Sequence, residues 1–281
     1  TAAPMKKTGL YLALAAALGM TMTACNRTDA PAAGAATEQP AAPSAQDNPI
    51  FAKSDLPLQY PHFDRIKDAD FAPAFDAGMA EQLKEVEAIA ANPEPATFDN
   101  TIIAMENSGQ VLERATSVFF NLASTDTNET RQKLEADYSE KFAAHQDAIR
   151  LNGKLFERIQ ALYDGREGLG LDAEGVRLVE RYYTDFVRAG AKLSDEDKAK
   201  LKSMNAELAK LGTRFDQNVL GEVNASAVTF DTAEQLAGAT QAQVAAAAAE
   251  AKKRGVDGKY VVTLLNTTGQ PPLTNLTDRE S

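Results

Sequence analysis

From Phe71 onward the large apolar side chains recur at steps of three and four, the spacing of one face of an α-helix. Phe75, Met79, Leu83, Val86 and Ile89 predict a first helix over 71–91, stopped at Asn92-Pro93 because proline cannot continue the amide ladder. Ile102, Ile103, Met105, Val111, Leu112, Val118, Phe119 and Leu122 predict a second over 100–123, with Gly109 as its weak point. Leu134, Tyr138, Phe142, Ile149, Phe156, Ile159 and Leu162 predict a third over 128–163, which Asn152-Gly153 breaks or bends. Asp172 is placed to cap a fourth helix reaching Ala189, with Val176, Val179, Tyr183 and Phe186 on its face. Ser194 followed by Asp197 reads as a capping box opening a fifth helix. Leu201, Met204, Leu208, Leu211, Phe215 and Val219 give that helix a narrow seam of the coiled-coil kind.

After Gly221 the texture changes. Val228–Phe230 and Tyr260–Leu265 are short β-prone runs, and the alanine-rich stretch between them, 240–254, predicts a helix closed by Gly255. The expectation is therefore a mainly α fold with one small β-containing, βαβ-like insert near residues 227–265. No fixed period repeats along the chain, so a regular solenoid is not expected.

The first fifty residues read differently. Thr1–Pro4 precede Met5 and are taken as upstream residues; Lys6 and Lys7, the apolar run Leu10–Met22 and the small residues Thr23 and Ala24 then lead to Cys25. The run is shorter than the roughly 20 apolar residues a spanning helix needs. This arrangement resembles a bacterial lipobox, with Cys25, the chain's only cysteine, as the lipid attachment site and Met22 standing where leucine is usual. The alternative is an ordinary signal peptide with an incidental cysteine. Asn26 after the cysteine favours the outer membrane over retention at the inner one, and acyl chains would supply the lasting anchor. Residues 26–48 are rich in Ala, Pro, Gln, Thr and Ser, a composition that cannot offset its ordering entropy and predicts a flexible linker. The expected organisation is upstream residues 1–4, signal 5–25, linker 26–48 and a helical domain 49–281.

Composition narrows the function. An apolar share of 44% over 281 residues is enough for a substantial core, and a net charge of −11 disfavours a nucleic-acid partner. One cysteine excludes an intramolecular disulfide. The two histidines, His62 and His145, lie far apart in sequence, whereas a hydrolytic zinc site of the His-Glu-x-x-His kind needs two imidazoles one helical turn apart. His62 is expected to be packed or to cap a turn, and His145 to be solvated on the polar side of its helix. No Gly-x-Ser-x-Gly elbow is present, and the glycines of 165–170 lack the strand a dinucleotide loop would follow, so they read as a turn between helices. From the residues alone this is an exported, lipid-anchored, mostly helical domain with no catalytic or metal-ligating residue to nominate.

Several strings in order add a resemblance. Asn48-Pro49-Ile50-Phe51, Tyr60-Pro61-His62-Phe63-Asp64-Arg65-Ile66, Pro73-Ala74-Phe75-Asp76-Ala77-Gly78-Met79, Phe98-Asp99-Asn100-Thr101-Ile102, Thr116-Ser117-Val118-Phe119-Phe120, Leu151-Asn152-Gly153, Gly190-Ala191-Lys192-Leu193 and Leu264-Leu265-Asn266-Thr267-Thr268 resemble the opening of bacterial peptidyl-dipeptidases of the thimet oligopeptidase-like zinc metallopeptidase family. The resemblance implies a long-helix amino-terminal domain of a clam-shaped enzyme, with a zinc-activated water attacking the peptide carbonyl and releasing dipeptides from the carboxyl end of short oligopeptides. It implies that the zinc and catalytic residues belong to the family's later half, so that this chain ends before them, is inactive alone, and contributes a wall of the substrate channel. The parent is expected to act as a monomer, touching the membrane only through its lipid. The alternative reading is a non-catalytic helical lipoprotein that binds peptides or a protein partner.

Overall fold

The computed structural model describes residues 48–264 and 269–278; the segment 5–25 with Cys25 lies outside them. The protein is mainly α. Its elements run α1 (Asp68–Ala90), α2 (Ala104–Glu106), α3 (Gln110–Thr125), α4 (Glu129–Arg150), α5 (Gly153–Gly165), α6 (Ala173–Arg188), α7 (Asp195–Ala225), β1 (Val228–Phe230), α8 (Gln241–Lys253), β2 (Tyr260–Val262) and α9 (Pro271–Thr274). Among the described residues no helix is long and apolar enough to cross a membrane.

The helix boundaries follow from side chains that satisfy the orphan amides of each first turn. The second expected helix is in fact two pieces. Thr97 accepts the Asn100 amide at 3.1 Å and opens a wide π-type turn, Phe98–Ile103, that passes into α2. The chain then reverses through Gly109, whose φ of 74° is open to glycine and strained for other residues. Its N–H donates to Glu85 of α1 at 2.7 Å, and α3 starts at the next residue. The third expected helix also divides, because the Asn152 carboxamide accepts the Leu155 amide at 3.1 Å and caps α5. Asp172 caps α6 as expected, accepting the Gly175 amide at 2.8 Å. Gly190, at φ 99°, closes that helix with Ala191 N–H on the Phe186 carbonyl at 3.0 Å. At the head of α7 the Ser194 hydroxyl accepts the Asp197 amide at 3.2 Å, but the expected reciprocal bond is replaced by the hydroxyl donating to the Asp197 carboxylate at 3.0 Å.

Two apolar clusters hold the body together. In one, Phe71 and Phe75 of α1 meet Phe119 of α3 edge to face at 5.1 and 5.2 Å, and Tyr138 of α4 closes on Phe75 at 5.0 Å. Such aromatic pairs add about 0.5–1.5 kcal/mol beyond their burial. In the other, Val86 and Ile89 of α1, Ile102, Ile149, the α5 residues Leu155, Phe156, Ile159 and Leu162, and Val179 and Phe186 of α6 pack together. Where α1 crosses α3 the spacing is set by Gly78, since a Cβ there would lie 2.7 Å from the Leu112 backbone nitrogen.

The seam of α7 lies open: Met204, Leu208, Leu211 and Phe215 are 64, 69, 53 and 67% exposed, and only Leu201 and Val219 are half-buried. Three-four spacing identifies an apolar face but carries no information about what covers it. The expected β-containing insert is present, but it is not a parallel βαβ unit, because β1 and β2 pair antiparallel, Val228 with Val262 and Phe230 with Tyr260. The intervening α8 packs on this two-stranded ribbon through a small cluster of Phe230, Leu236 and Ala247. Gly255, at φ 77°, ends α8 as expected, with Val256 N–H on the Ala251 carbonyl at 2.9 Å.

Candidate functional site

A groove opens where α1, the turn after α2, α4 and α6 converge. Gln82, Glu106, Ser108, Gln146, Arg150, Arg181, Tyr182 and Asp185 contribute its polar groups, and Met105, Ile149, Leu178 and Phe186 its apolar ones, around a cavity of about 310 Å3. A second hollow of about 570 Å3 shares Gln82, Ser108 and Gln146 and extends past His145 to Thr116, Phe120 and Phe142. The cap at Asn152 that ends α4 and the Gly109 reversal put these side chains on one surface.

Electrostatics within the groove are largely settled by local partners. The Tyr182 phenol donates to Glu106 at 2.6 Å; burial first, and then this bond, raise its pKa well above the ordinary phenol range. That pair is a structural tie, because a phenol held protonated is a poor proton donor or acceptor at neutral pH. The Arg150 guanidinium lies 5.8 Å from the Phe186 ring centre, and Arg181 pairs with Asp185 at 3.7 Å. Below the groove Tyr138 donates to the Ala72 carbonyl at 3.1 Å, and burial, followed by Asp76, pushes its phenol up to about 12. Apolar walls with amide, hydroxyl and guanidinium groups at the rim can hold and orient a polar chain such as a peptide.

The two histidines sit in separate places. His62, in the turn before α1, lies 2.6 Å from Asp55 through Nε2 and 3.7 Å from Asp64 through Nδ1, and its bond holds the Asp55 carboxyl below the usual range. It is the packed turn residue expected. His145 is not solvated: it is 4% exposed, its Nε2 meets Gln82 Oε1 at 2.6 Å, and its Nδ1 is enclosed without a hydrogen-bond partner among the described residues. The reason is visible in the spacing, since His145 stands three residues after Phe142 and four before Ile149, on the stripe that α4 turns toward α1. Among the described residues no three His, Cys, Asp or Glu side chains converge to hold a metal ion. Cys25 lies outside the described residues.

A buried cation escaped the sequence reading. Arg158 of α5 is 8% exposed and donates to the Asn92 and Glu94 carbonyls and to Asn100 Oδ1 at 2.9, 2.9 and 2.8 Å, tying the turn after α1 to the second apolar cluster. Its place three residues after Leu155 and four before Leu162 is the signal that marks it.

The chain is 44% identical over 232 residues to Dipeptidyl carboxypeptidase of Escherichia coli, which is 83% of this chain and 34% of that protein. It is 43% identical over 234 residues to Dipeptidyl carboxypeptidase of Salmonella typhimurium, with the same two shares. Oligopeptidase A of Escherichia coli is 25% identical over 224 residues, 77% of this chain and 31% of that protein. The chain thus spans about a third of the length of the curated relatives it matches. No family model matches it.

Proposed function

We propose that this chain is the amino-terminal portion of an exported zinc peptidyl-dipeptidase, one that releases dipeptides from the carboxyl end of short oligopeptides. The observation that carries the reading is the 44% identity over 232 residues to a dipeptidyl carboxypeptidase. In this reading the helical body supplies a wall of the substrate channel, and the groove between α1, α4 and α6 is a place where a peptide can be held. The zinc belongs to the parent polypeptide. Nothing in the described residues fits it, because His62 is committed to Asp55 and His145 is enclosed against Gln82. Export and lipid attachment at Cys25 belong to the same proposal.

The test joins this chain to the stretch of the Escherichia coli dipeptidyl carboxypeptidase that lies outside the 232 aligned residues. The joined protein is expected to release dipeptides from an amino-blocked peptide and to lose that turnover to a chelator, while the chain alone shows none. Chelator-sensitive turnover by the chain alone would place the chemistry in these residues and overturn the assignment. For the anchor, Cys25→Ser is expected to move the protein from the membrane fraction to the soluble one; equal membrane partition of both forms would remove the lipoprotein part of the reading.

A second reading, a non-catalytic peptide-binding module, is favoured by one observation: both large apolar clusters close within the described residues. It requires saturable binding of short peptides by the chain alone together with an inactive joined protein.

A further inference from the structure

The amphipathic pattern of α7 runs the wrong way round for the neighbour it touches. The side chains that meet α4 are polar or small. Asn205 donates to Asp147 at 2.7 Å and Gln217 to the Gln132 carbonyl at 2.8 Å. Between them, at steps of four, Ala209 and Thr213 are half-buried. At 3.6 residues per turn Met204, Leu208, Leu211 and Phe215 fall on nearly the opposite side, and each is more than half exposed. None of the 31 residues of α7 is buried. Their steps of four, three and four are those of a heptad seam, the pattern that accepts the knobs of another helix. The seam is bordered by Glu207 and Arg214, both exposed.

We propose that this seam is the seat of a helix supplied by the remainder of the parent polypeptide, one with its own apolar seam, a base facing Glu207 and an acid facing Arg214. The proposal rests on the reading that the chain is the amino-terminal portion of a longer peptidase. Two observations select this occupant. About two thirds of the length of the dipeptidyl carboxypeptidases lies outside the aligned region. And the two large clusters involve α1 and α3 to α6 but no buried side chain of α7; Leu201 packs beside Gly190 at its start, and between Asn205 and Gln217 the half-buried side chains of this helix are polar or small.

Met204 is a built-in reporter, since peroxide converts an accessible thioether to the sulfoxide. Oxidation of Met204, followed by peptide mass spectrometry, is expected to be at least tenfold slower in the joined protein described above than in the chain alone. Acetylation of the exposed Lys202 should proceed at the same rate in both. The double variant Leu208→Glu/Phe215→Glu is expected to leave the thermal melt of the chain alone unchanged and to abolish dipeptide release by the joined protein. Equal Met204 oxidation in a joined protein that does release dipeptides overturns the seam proposal while the function stands. A joined protein that is dimeric, and that the double variant turns monomeric and still active, assigns the seam to a second copy and also overturns it. Failure of the unsubstituted joined protein to release dipeptides removes the functional reading, and the seam proposal with it.

Discussion

At the scale of single residues the informative positions are polar groups placed on apolar stripes. Burial lowers the His145 pKa below its ordinary 6.5, so the folded protein keeps this ring neutral at a pH where the unfolded chain already binds a proton. The unfolded state then carries more protons, and stability rises with pH in that window. The expected outcome is a loss of stability as pH falls through about 6.5, continuing down to the folded pKa, with a slope of at most about 1.4 kcal/mol per pH unit from this one group. Urea midpoints between pH 8 and 5 measure it, and His145→Asn should flatten the curve; an equally steep loss in the variant would assign the effect elsewhere. Arg158 makes a different case, a buried charge whose two terminal nitrogens donate to the Asn92 and Glu94 carbonyls and to Asn100, while its Nε has no hydrogen-bond partner among the described residues. Arg158→Met keeps the length of the side chain but strips donors from two backbone carbonyls, and a destabilisation of about 3 kcal/mol is expected. A denaturant midpoint unchanged in that variant would show that the turn after α1 holds without it.

Elements are set by close approach as much as by periodicity. Gly78→Ala is expected to force α1 and α3 apart at Leu112, a clash with backbone that cannot be relieved by a rotamer change, and to cost about 1–3 kcal/mol. A thermal melt compares it with Ala77→Ser one residue away; equal midpoints would mean the crossing has slack. What the sequence showed of this level, and what it did not, divides along the same line. The starts at Asp172 and Ser194 and the stop at Gly255 are legible because a cap needs only its own neighbours. The fully buried Phe71 and the buried Gly78 were absent from the expected face of α1: glycine has no apolar signature, and Phe71 was placed at the helix end. The seam of α7 was legible as apolar while its exposure was not, and His145 was assigned to the solvent because a single polar residue on a stripe looks the same whether or not another helix closes over it. Of the candidate groove, only Met105, Ile149 and Phe186 were visible beforehand; Gln82, Gln146 and Arg150 come together from α1 and α4, and that pairing is a tertiary fact.

For the described molecule as a whole, stability should be distributed in proportion to how its apolar clusters are built. The two large clusters draw on α1, α3, α4, α5 and α6 and contain buried aromatic side chains, each contributing roughly 1.5–3 kcal/mol by burial. The unit of β1, β2 and α8 is built on the small cluster of Phe230, Leu236 and Ala247, with Ala251 and Val261 its other buried residues, and its strands are three residues each. Two short strands over so small a cluster are marginal without the support of neighbours. Opening this unit exposes little of the large clusters, so it should unfold locally at a cost below that of global unfolding. Native-state hydrogen exchange is the measurement. Amides in the interior of α1, α3 and α5 are expected to exchange last and together, and those of Thr229, Val261 and the middle of α8 at least tenfold faster. If the ribbon instead exchanged at the same rate as α1, with the same dependence on denaturant, the small cluster would have to be coupled to the rest of the body, and α7, the element that leads into it, would be the connection to test next.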